Sequence, residues 1–285
     1  MRLRSFGAPA ARLSHSIWSY CRRIAHGFSQ HHCSVMACAC SYCALLSVVP
    51  LLAVGIAAFG FVLGNQYQVV NHAVGTIRNF VPIQPVFLKE TLERAVHYRG
   101  TAGIVGGIGL VYGAHQTFMV MQPAMNLVWG VRETRQWWRR RILAITAAVV
   151  TLALLGADVA FTAMAAFELH SGFLSLKLAP VTRMVFAVFP VLTTTLLFSW
   201  LYREIPSCKV SAAAAVRGAA AASVGWEITK IAFAFFVAKY AGFESIYGPL
   251  SGLVILVVWV YYSMVILLLG VEVSADFQSR HKEAV

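Results

Sequence analysis

The stretch GPLSGLVILVVWVYYSMVILLLGV, residues 248–271, decides the fold class of this protein. It contains no charged side chain. A helix needs roughly 20 apolar residues to cross the hydrocarbon layer of a membrane, which is about 30 Å thick. The stretch therefore predicts a transmembrane helix close to the carboxyl end of the chain.

Five further stretches are also long and predominantly apolar. They cover residues 34–63, 101–121, 142–167, 181–202 and 212–238. Together the six predict an all-α integral membrane protein with a bundle of six transmembrane helices. The domain plan is then a basic amino-terminal segment (1–33), the membrane domain (34–271) and a carboxyl-terminal tail (272–285).

The composition of the chain agrees with a membrane location. Of its 285 residues, 59% are hydrophobic and 12% are charged, whereas soluble domains average about 25% charged residues. The formal net charge is +12, and because the basic residues lie between apolar spans, it indicates contact with anionic lipids and not with nucleic acid. Four of the six cysteines crowd the first span, where small residues serve helix packing, and we predict neither a metal site nor a cofactor.

Lysine and arginine are distributed unevenly between the two sides of the predicted bundle. With the amino terminus inside, the inner segments hold 14 of them and the outer segments hold 6. The positive-inside rule then places both termini in the cytoplasm, with the chain crossing the membrane several times. No cleaved signal peptide is predicted, and the first span is expected to act as a signal anchor.

The outer loop, residues 64–100, is long for a connector. Apolar residues recur in it at helical spacing in two runs, which Pro82 and Pro85 separate. We predict two amphipathic helices, which either lie on the outer membrane surface or cap the bundle.

The inner loop reads QPAMNLVWGVRETRQWWRRR over residues 122–141. Indole rings favour the headgroup layer, and guanidinium groups bind phosphate with two hydrogen bonds. The loop is either a topological anchor or a site for lipid headgroups. The candidate headgroup contacts are Asn126, Trp129, Trp137, Trp138, Arg139, Arg140 and Arg141, together with Arg217 near the inner end of the fifth span.

Charged residues inside the spans form a second candidate site. Asp158 lies in the third span, and Glu227 and Lys230 lie in the fifth, three residues apart and therefore on one helix face. Charges in hydrocarbon are costly and usually face a partner or a wet cavity. Two alternatives stay open: an ion pair that fixes helix register, or a polar cavity that admits a headgroup, an ion or a proton.

Glycines in the second span indicate close helix packing. Gly103 and Gly107 form one GxxxG spacing, and Gly109 and Gly113 form another.

Short motifs spread from about residue 34 to residue 277 resemble the YihY/BrkB family of bacterial inner-membrane proteins. The runs that carry the resemblance are QxAxNxxWGxxxxR from Gln122 to Arg135, YREIP from Tyr202, and GxxxxxxxWExxK from Gly218 to Lys230. The matching positions are Tyr42, Ser47, Pro50, Gln122, Gly130, Tyr202, Pro206, Trp226, Tyr247, Gly248, Trp259 and Glu272.

This resemblance implies six helices and cytoplasmic termini but no particular activity. The family has carried a ribonuclease label, yet the chain has only two aspartates, Asp158 and Asp276, and no clustered ligands for a catalytic metal. We therefore predict that it is not an enzyme. One hypothesis is a carrier or flippase for an anionic envelope lipid or another amphiphile, and the alternative is a non-transporting scaffold for envelope integrity. Anionic membrane lipids are the expected partners, and self-association or an envelope protein partner stays open.

Overall fold

A computed structural model describes residues 8–63, 99–132, 136–171, 179–239 and 251–283. Within these ranges the chain forms seven helices and no strand. They are α1 (Ala8–Gln30), α2 (Cys33–Leu63), α3 (Arg99–Val128), α4 (Trp137–Ser171), α5 (Ala179–Glu204), α6 (Ala212–Lys239) and α7 (Ser251–Glu283).

The predicted all-helical fold is thus confirmed for the described residues, and helices α2 to α7 overlap the six apolar stretches in order. In the described part of the chain, Ile104–Val128 and Gly252–His281 are long and apolar enough to cross a membrane. The count of six crossings stays a prediction. The outer loop lies outside the described residues from 64 to 98, and so do its two predicted amphipathic helices.

The chain divides into two compact units, one of residues 42–117 and the other of residues 1–41 with 118–285. In the 42–117 unit, α2 and α3 approach closely along one of the two glycine pairs. A Cβ on Gly113 would lie 2.8 Å from Cα of Ser47, and a Cβ on Gly109 would lie 3.1 Å from Pro50. Gly107 meets no atom within 4 Å, so the pair Gly109–Gly113 makes the close packing.

In the other unit, α6 packs against both α5 and α7. Gly218 of α6 faces the carbonyl of Gly270 on α7, and a Cβ on Gly218 would lie 2.7 Å from Cβ of Ser274. Tyr202 of α5 is fully buried beside this crossing and donates a hydrogen bond of 2.8 Å to the carbonyl of Leu267. We call this region the packed end: residues 197–206 of α5, 210–223 of α6 and 266–276 of α7.

The same three helices carry many exposed apolar side chains farther along. We call this region the open end: residues 188–196 of α5, 224–236 of α6 and 252–262 of α7. Its exposed large apolar side chains are Val188, Leu192, Leu196, Val224, Ile228, Ile231, Phe235, Leu253, Val257 and Tyr262. Such surface is unusual in water and ordinary in lipid.

Helix α3 ends at Val128, and Gly130, two residues beyond, has a φ of +64°. The N–H of Gly130 donates to the carbonyl of Leu127, and the N–H of Val131 donates to the carbonyl of Asn126. This pattern is the Schellman motif, in which glycine adopts the left-handed conformation at low cost. Trp129 and Gly130 of the inner loop therefore terminate helix α3.

Both terminal segments contain helix that was not predicted from the sequence. Residues 8–30 of the basic segment form helix α1, and residues 272–283 of the tail continue helix α7. Helix α1 packs against the carboxyl-terminal part of α7. From the sequence, the amino-terminal segment was described only as basic.

Candidate functional site

Glu227 and Lys230, which their spacing placed on one helix face, form an ion pair at the open end. Nζ of Lys230 lies 2.7 Å from Oε1 of Glu227, and the two side chains are 33% and 29% exposed. A pair three residues apart within one helix adds little to the packing between helices. Asp158 lies on α4, but its side chain is outside the described residues, so a link from Asp158 to this pair stays a prediction.

Aromatic rings join the three helices beside this pair. Trp226 of α6 and Trp259 of α7 lie 5.4 Å apart between ring centroids, and Phe233 lies 4.7 Å from Trp259. Phe198 of α5 meets the edge of Trp226 at 6.4 Å. Trp226, which directly precedes Glu227, thus packs in an aromatic cluster that holds this turn of α6 in place.

The basic rim, which we define as residues 137–141, opens helix α4. Trp137 and Trp138 are exposed. Arg139 stacks over the ring of Trp138 at 5.0 Å, and Arg141 stacks over the ring of Trp137 at 5.2 Å. These guanidinium groups are oriented by the indoles and keep their edges open to a ligand.

Arg140 differs from its two neighbours on the rim. Its Nη2 donates a hydrogen bond to the carbonyl of Met119 on α3. It also lines a small cleft with Gln122 and Phe118. Arg140 therefore connects α4 to the end of α3, and it has fewer donors left for a headgroup.

Asn126 is buried and acts between segments. Its Oδ1 accepts the backbone N–H of Ser207 at 2.8 Å, and its Nδ2 donates to the hydroxyl of Ser207 at 3.0 Å. Gln122, also buried, donates to the same hydroxyl at 3.3 Å. The two amides bind the end of α3 to the connection between α5 and α6, and a role of Asn126 in headgroup binding stays a prediction.

The other predicted contacts and motif positions are dispersed. The Arg217 guanidinium lies 3.7 Å over the ring of Phe277, and Trp129 is partly exposed. Tyr42 is exposed, whereas Pro206 is buried. Tyr247 and Gly248 lie outside the described residues.

Glu272 forms a polar cluster whose partners sequence reasoning missed. It is only 5% exposed, and its Oε1 lies 2.5 Å from Nδ1 of His31. The thiol of Cys33 donates to the same oxygen at 3.6 Å. A Cβ on Gly27 would lie 2.9 Å from Oε2, so this glycine leaves room for the carboxylate. The partners are 241 and 239 residues away in the sequence, and no local pattern predicts them.

One turn further along α7, Asp276 binds helix α1. Its Oδ1 lies 2.7 Å from Nε of Arg23, and Arg280 approaches its Oδ2 at 3.3 Å. Partial burial, followed by the nearby Asp276 carboxylate, raises the pKa of Tyr20. Among the described residues, no three metal-ligating side chains converge on one point.

Comparison with known proteins gives a consistent assignment. The family model described as Virulence factor BrkB matches residues 24–285. A UPF0761 membrane protein of Cronobacter sakazakii is 28% identical over 98% of this chain and 96% of its own length. A relative from Legionella pneumophila with the same description is 28% identical over 92% of this chain.

The chain spans only 63% of the length of the Legionella relative and 59% of one from Alkalilimnicola ehrlichii. No solved structure matches it. The relatives are described as membrane proteins, which locates this chain in a membrane. Because the family model covers nearly the whole sequence, the chain belongs to the YihY/BrkB family of membrane proteins, as its motifs had indicated.

Proposed function

We propose that this protein is a carrier or flippase for an anionic envelope lipid or a similar amphiphile. The observation that carries the proposal is the ion pair of Glu227 and Lys230. Both side chains are about one-third exposed, and Ile228 and Ile231 beside them are strongly exposed. Two charges thus sit on a surface that is otherwise suited to lipid.

The depth of the pair supports a polar path through the bilayer. If α6 crosses the membrane from Ala212, Glu227 lies about 23 Å from the inner end, at 1.5 Å per residue. A charged pair that is neither fully buried nor at the surface is costly in hydrocarbon and calls for a wet groove or a polar ligand. A headgroup that slides along such a groove, with its acyl chains in lipid, would supply that ligand.

The basic rim supports a site where the lipid enters from the cytoplasmic leaflet. Arg139 and Arg141 rest on indole rings, which orient them, and guanidinium groups bind phosphate with two hydrogen bonds.

The experiment is lipid movement in liposomes that contain the purified full-length chain and a fluorescent anionic lipid in one leaflet. We expect faster transbilayer movement than in empty liposomes. Glu227→Gln and the double change Arg139→Gln with Arg141→Gln should each slow it several-fold. Arg203→Gln is the matched control, because Arg203 is an exposed arginine outside the rim and should leave the rate unchanged.

A scaffold without transport is the second candidate, and the packed end favours it. Helices that meet at the Gly218–Gly270 crossing leave no room for movement there. If no envelope lipid moves faster than in empty liposomes, with or without an ion gradient, the carrier proposal fails and the scaffold stands.

The proposed orientation places both termini in the cytoplasm of a bacterial cell, with six crossings of the inner membrane. It rests on the 14 to 6 distribution of basic residues. Reporter fusions at positions 30, 132 and 280 should report the cytoplasm, and fusions at 80 and 172 should report the outside. A cytoplasmic signal at position 80 would overturn the orientation.

A further inference from the structure

The described residues of α1 have three faces in three environments. One face, with Tyr20, Ile24 and Gly27, is buried or half-buried toward α7. A second, with Arg22 and His26, is polar and exposed. The third is apolar and open: Trp18, Cys21 and Ala25, spaced by three and four residues, are all exposed, and Trp18 is 70% exposed.

The position of α1 on α7 is fixed, so the open face cannot turn inward. Arg23 pairs with Asp276, and Gly27 packs against the carboxylate of Glu272. Ile24 is buried between these two contacts in the sequence. Rotation of α1 that buried Trp18 would break both contacts with α7.

The connection to α2 sets the height of α1 relative to the membrane. Helix α1 ends at Gln30, and α2 begins at Cys33, after a turn in which His32 has a φ of +50°. Since α2 contains the first predicted span, α1 has only two residues in which to leave the membrane surface. On the first turns of α2, Val35 and Cys38 are exposed as well.

The charge of this segment identifies the surface that covers the open face. Residues 1–33 hold five arginines and no acidic residue. Indole rings partition into the headgroup layer, and each basic residue near an anionic leaflet adds attraction. A helix with an apolar stripe beside a basic face is the usual form of a helix that lies in the plane of a membrane.

We propose that α1 is an in-plane membrane anchor, whose face of Trp18, Cys21 and Ala25 enters the headgroup layer of an anionic leaflet. Arg22, on the neighbouring face, contacts lipid phosphates. The anchor does not depend on lipid transport: it would hold for a scaffold as well. The contacts of Arg23 with Asp276 and of Gly27 with Glu272 hold α1 on α7, so the anchor couples the end of α7 to the lipid surface.

The test uses the full-length protein, labelled with 5-fluorotryptophan, in nanodiscs. Comparison with Trp18→Phe assigns the fluorine signal of Trp18 among the seven tryptophans. In nanodiscs rich in phosphatidylglycerol, a lipid with a nitroxide on its headgroup should broaden the Trp18 signal. A water-soluble gadolinium chelate should leave it sharp. Trp226, held in the aromatic cluster at the open end, is the internal reference and should resist both reagents.

Two outcomes would overturn the proposal. Broadening by gadolinium alone would place Trp18 in water, and protection from both reagents would mean that a second copy of the chain or another protein covers it.

Lipid composition provides a further check. For the wild type, the protection from gadolinium should be weaker in phosphatidylcholine nanodiscs than in anionic ones. In anionic nanodiscs, Arg22→Gln should weaken the protection relative to the wild type, whereas Arg203→Gln should not. Equal protection in all discs and variants would show that charge plays no part in the contact.

Discussion

Glu227 and Glu272 are both glutamates on apolar helices, but they differ in almost every other respect. Glu272 lies at the packed end, is 5% exposed and binds His31 and Cys33 from the far end of the sequence. Glu227 lies at the open end and pairs with Lys230 on its own helix. The first carboxylate connects distant segments, whereas the second pairs within its own helix and stays partly exposed. The role of a charged residue in an apolar helix therefore depends on whether its partner lies on the same helix or on a distant segment.

The largest expected effect comes from filling the helix crossing at the packed end. Gly218→Ala would push a methyl group against the carbonyl of Gly270 and the side chain of Ser274. Overpacking costs about 1–3 kcal/mol, and the upper part of this range applies because backbone cannot move aside easily. The melting temperature of the purified protein in detergent should fall by many degrees, as followed by circular dichroism.

Gly252→Ala is the matched control at the open end. No atom lies within 4 Å of the position that its Cβ would take, and alanine favours helix over glycine by up to about 1 kcal/mol. Its melting temperature should be equal to or slightly above that of the wild type. Equal stability of both variants would mean that the packed end is not closely packed in the membrane protein.

The second prediction compares the two glutamates directly. Glu272→Gln keeps the shape of the side chain but removes the charge that faces His31, and a hydrogen bond to a charged group contributes about 1.5–3 kcal/mol. Glu227→Gln breaks a partly exposed pair, which contributes less than about 1 kcal/mol. Urea or thermal unfolding in the same detergent should therefore show the larger loss for Glu272→Gln.

A reversed order would change the interpretation of the open end. If Glu227→Gln lost more stability than Glu272→Gln, the pair would hold a contact between helices, for which Asp158 on α4 is the candidate. Lys230→Ala should then also lose stability, because both carboxylates lose their cation, and exchange of Glu227 and Lys230 should restore part of that loss.

Features that depend on neighbours in the sequence could be predicted, and the fold class is the main one. Six apolar stretches predicted helices because a long apolar run has few other stable forms in a membrane. The placement of Glu227 and Lys230 on one helix face followed from helical spacing alone. The close approach at Gly109 and Gly113 was predicted as a glycine motif, although its counterpart at Gly107 is open.

Features that join distant segments could not be predicted from spacing. Arg23 and Asp276 are 253 residues apart, and the crossing of Gly218 with Gly270 shows no sign in either segment alone. Helix α1 is a different case. Leu13, Ile17 and Ile24 recur in it at helical spacing, so its amphipathic pattern was available but hidden by the strong basic charge of the segment.

The smallest expected effect concerns the ion pair that holds α1 on α7. Arg23→Gln removes one partner of Asp276, but Arg280 lies 3.3 Å from the other carboxylate oxygen and keeps the charge paired. The Arg23 side chain is 45% exposed, so the loss of stability should be at most about 0.5 kcal/mol. The adjacent Arg22→Gln gives a reference with the same change in net charge.

The double change Arg23→Gln with Arg280→Gln should cost more than the sum of the single changes, because only then does Asp276, which is 15% exposed, lose both cations. A single Arg23→Gln that destabilised the protein as much as Glu272→Gln would show that α1 depends mainly on this surface pair, and the distinction between accessible and buried charges would not hold at the packed end.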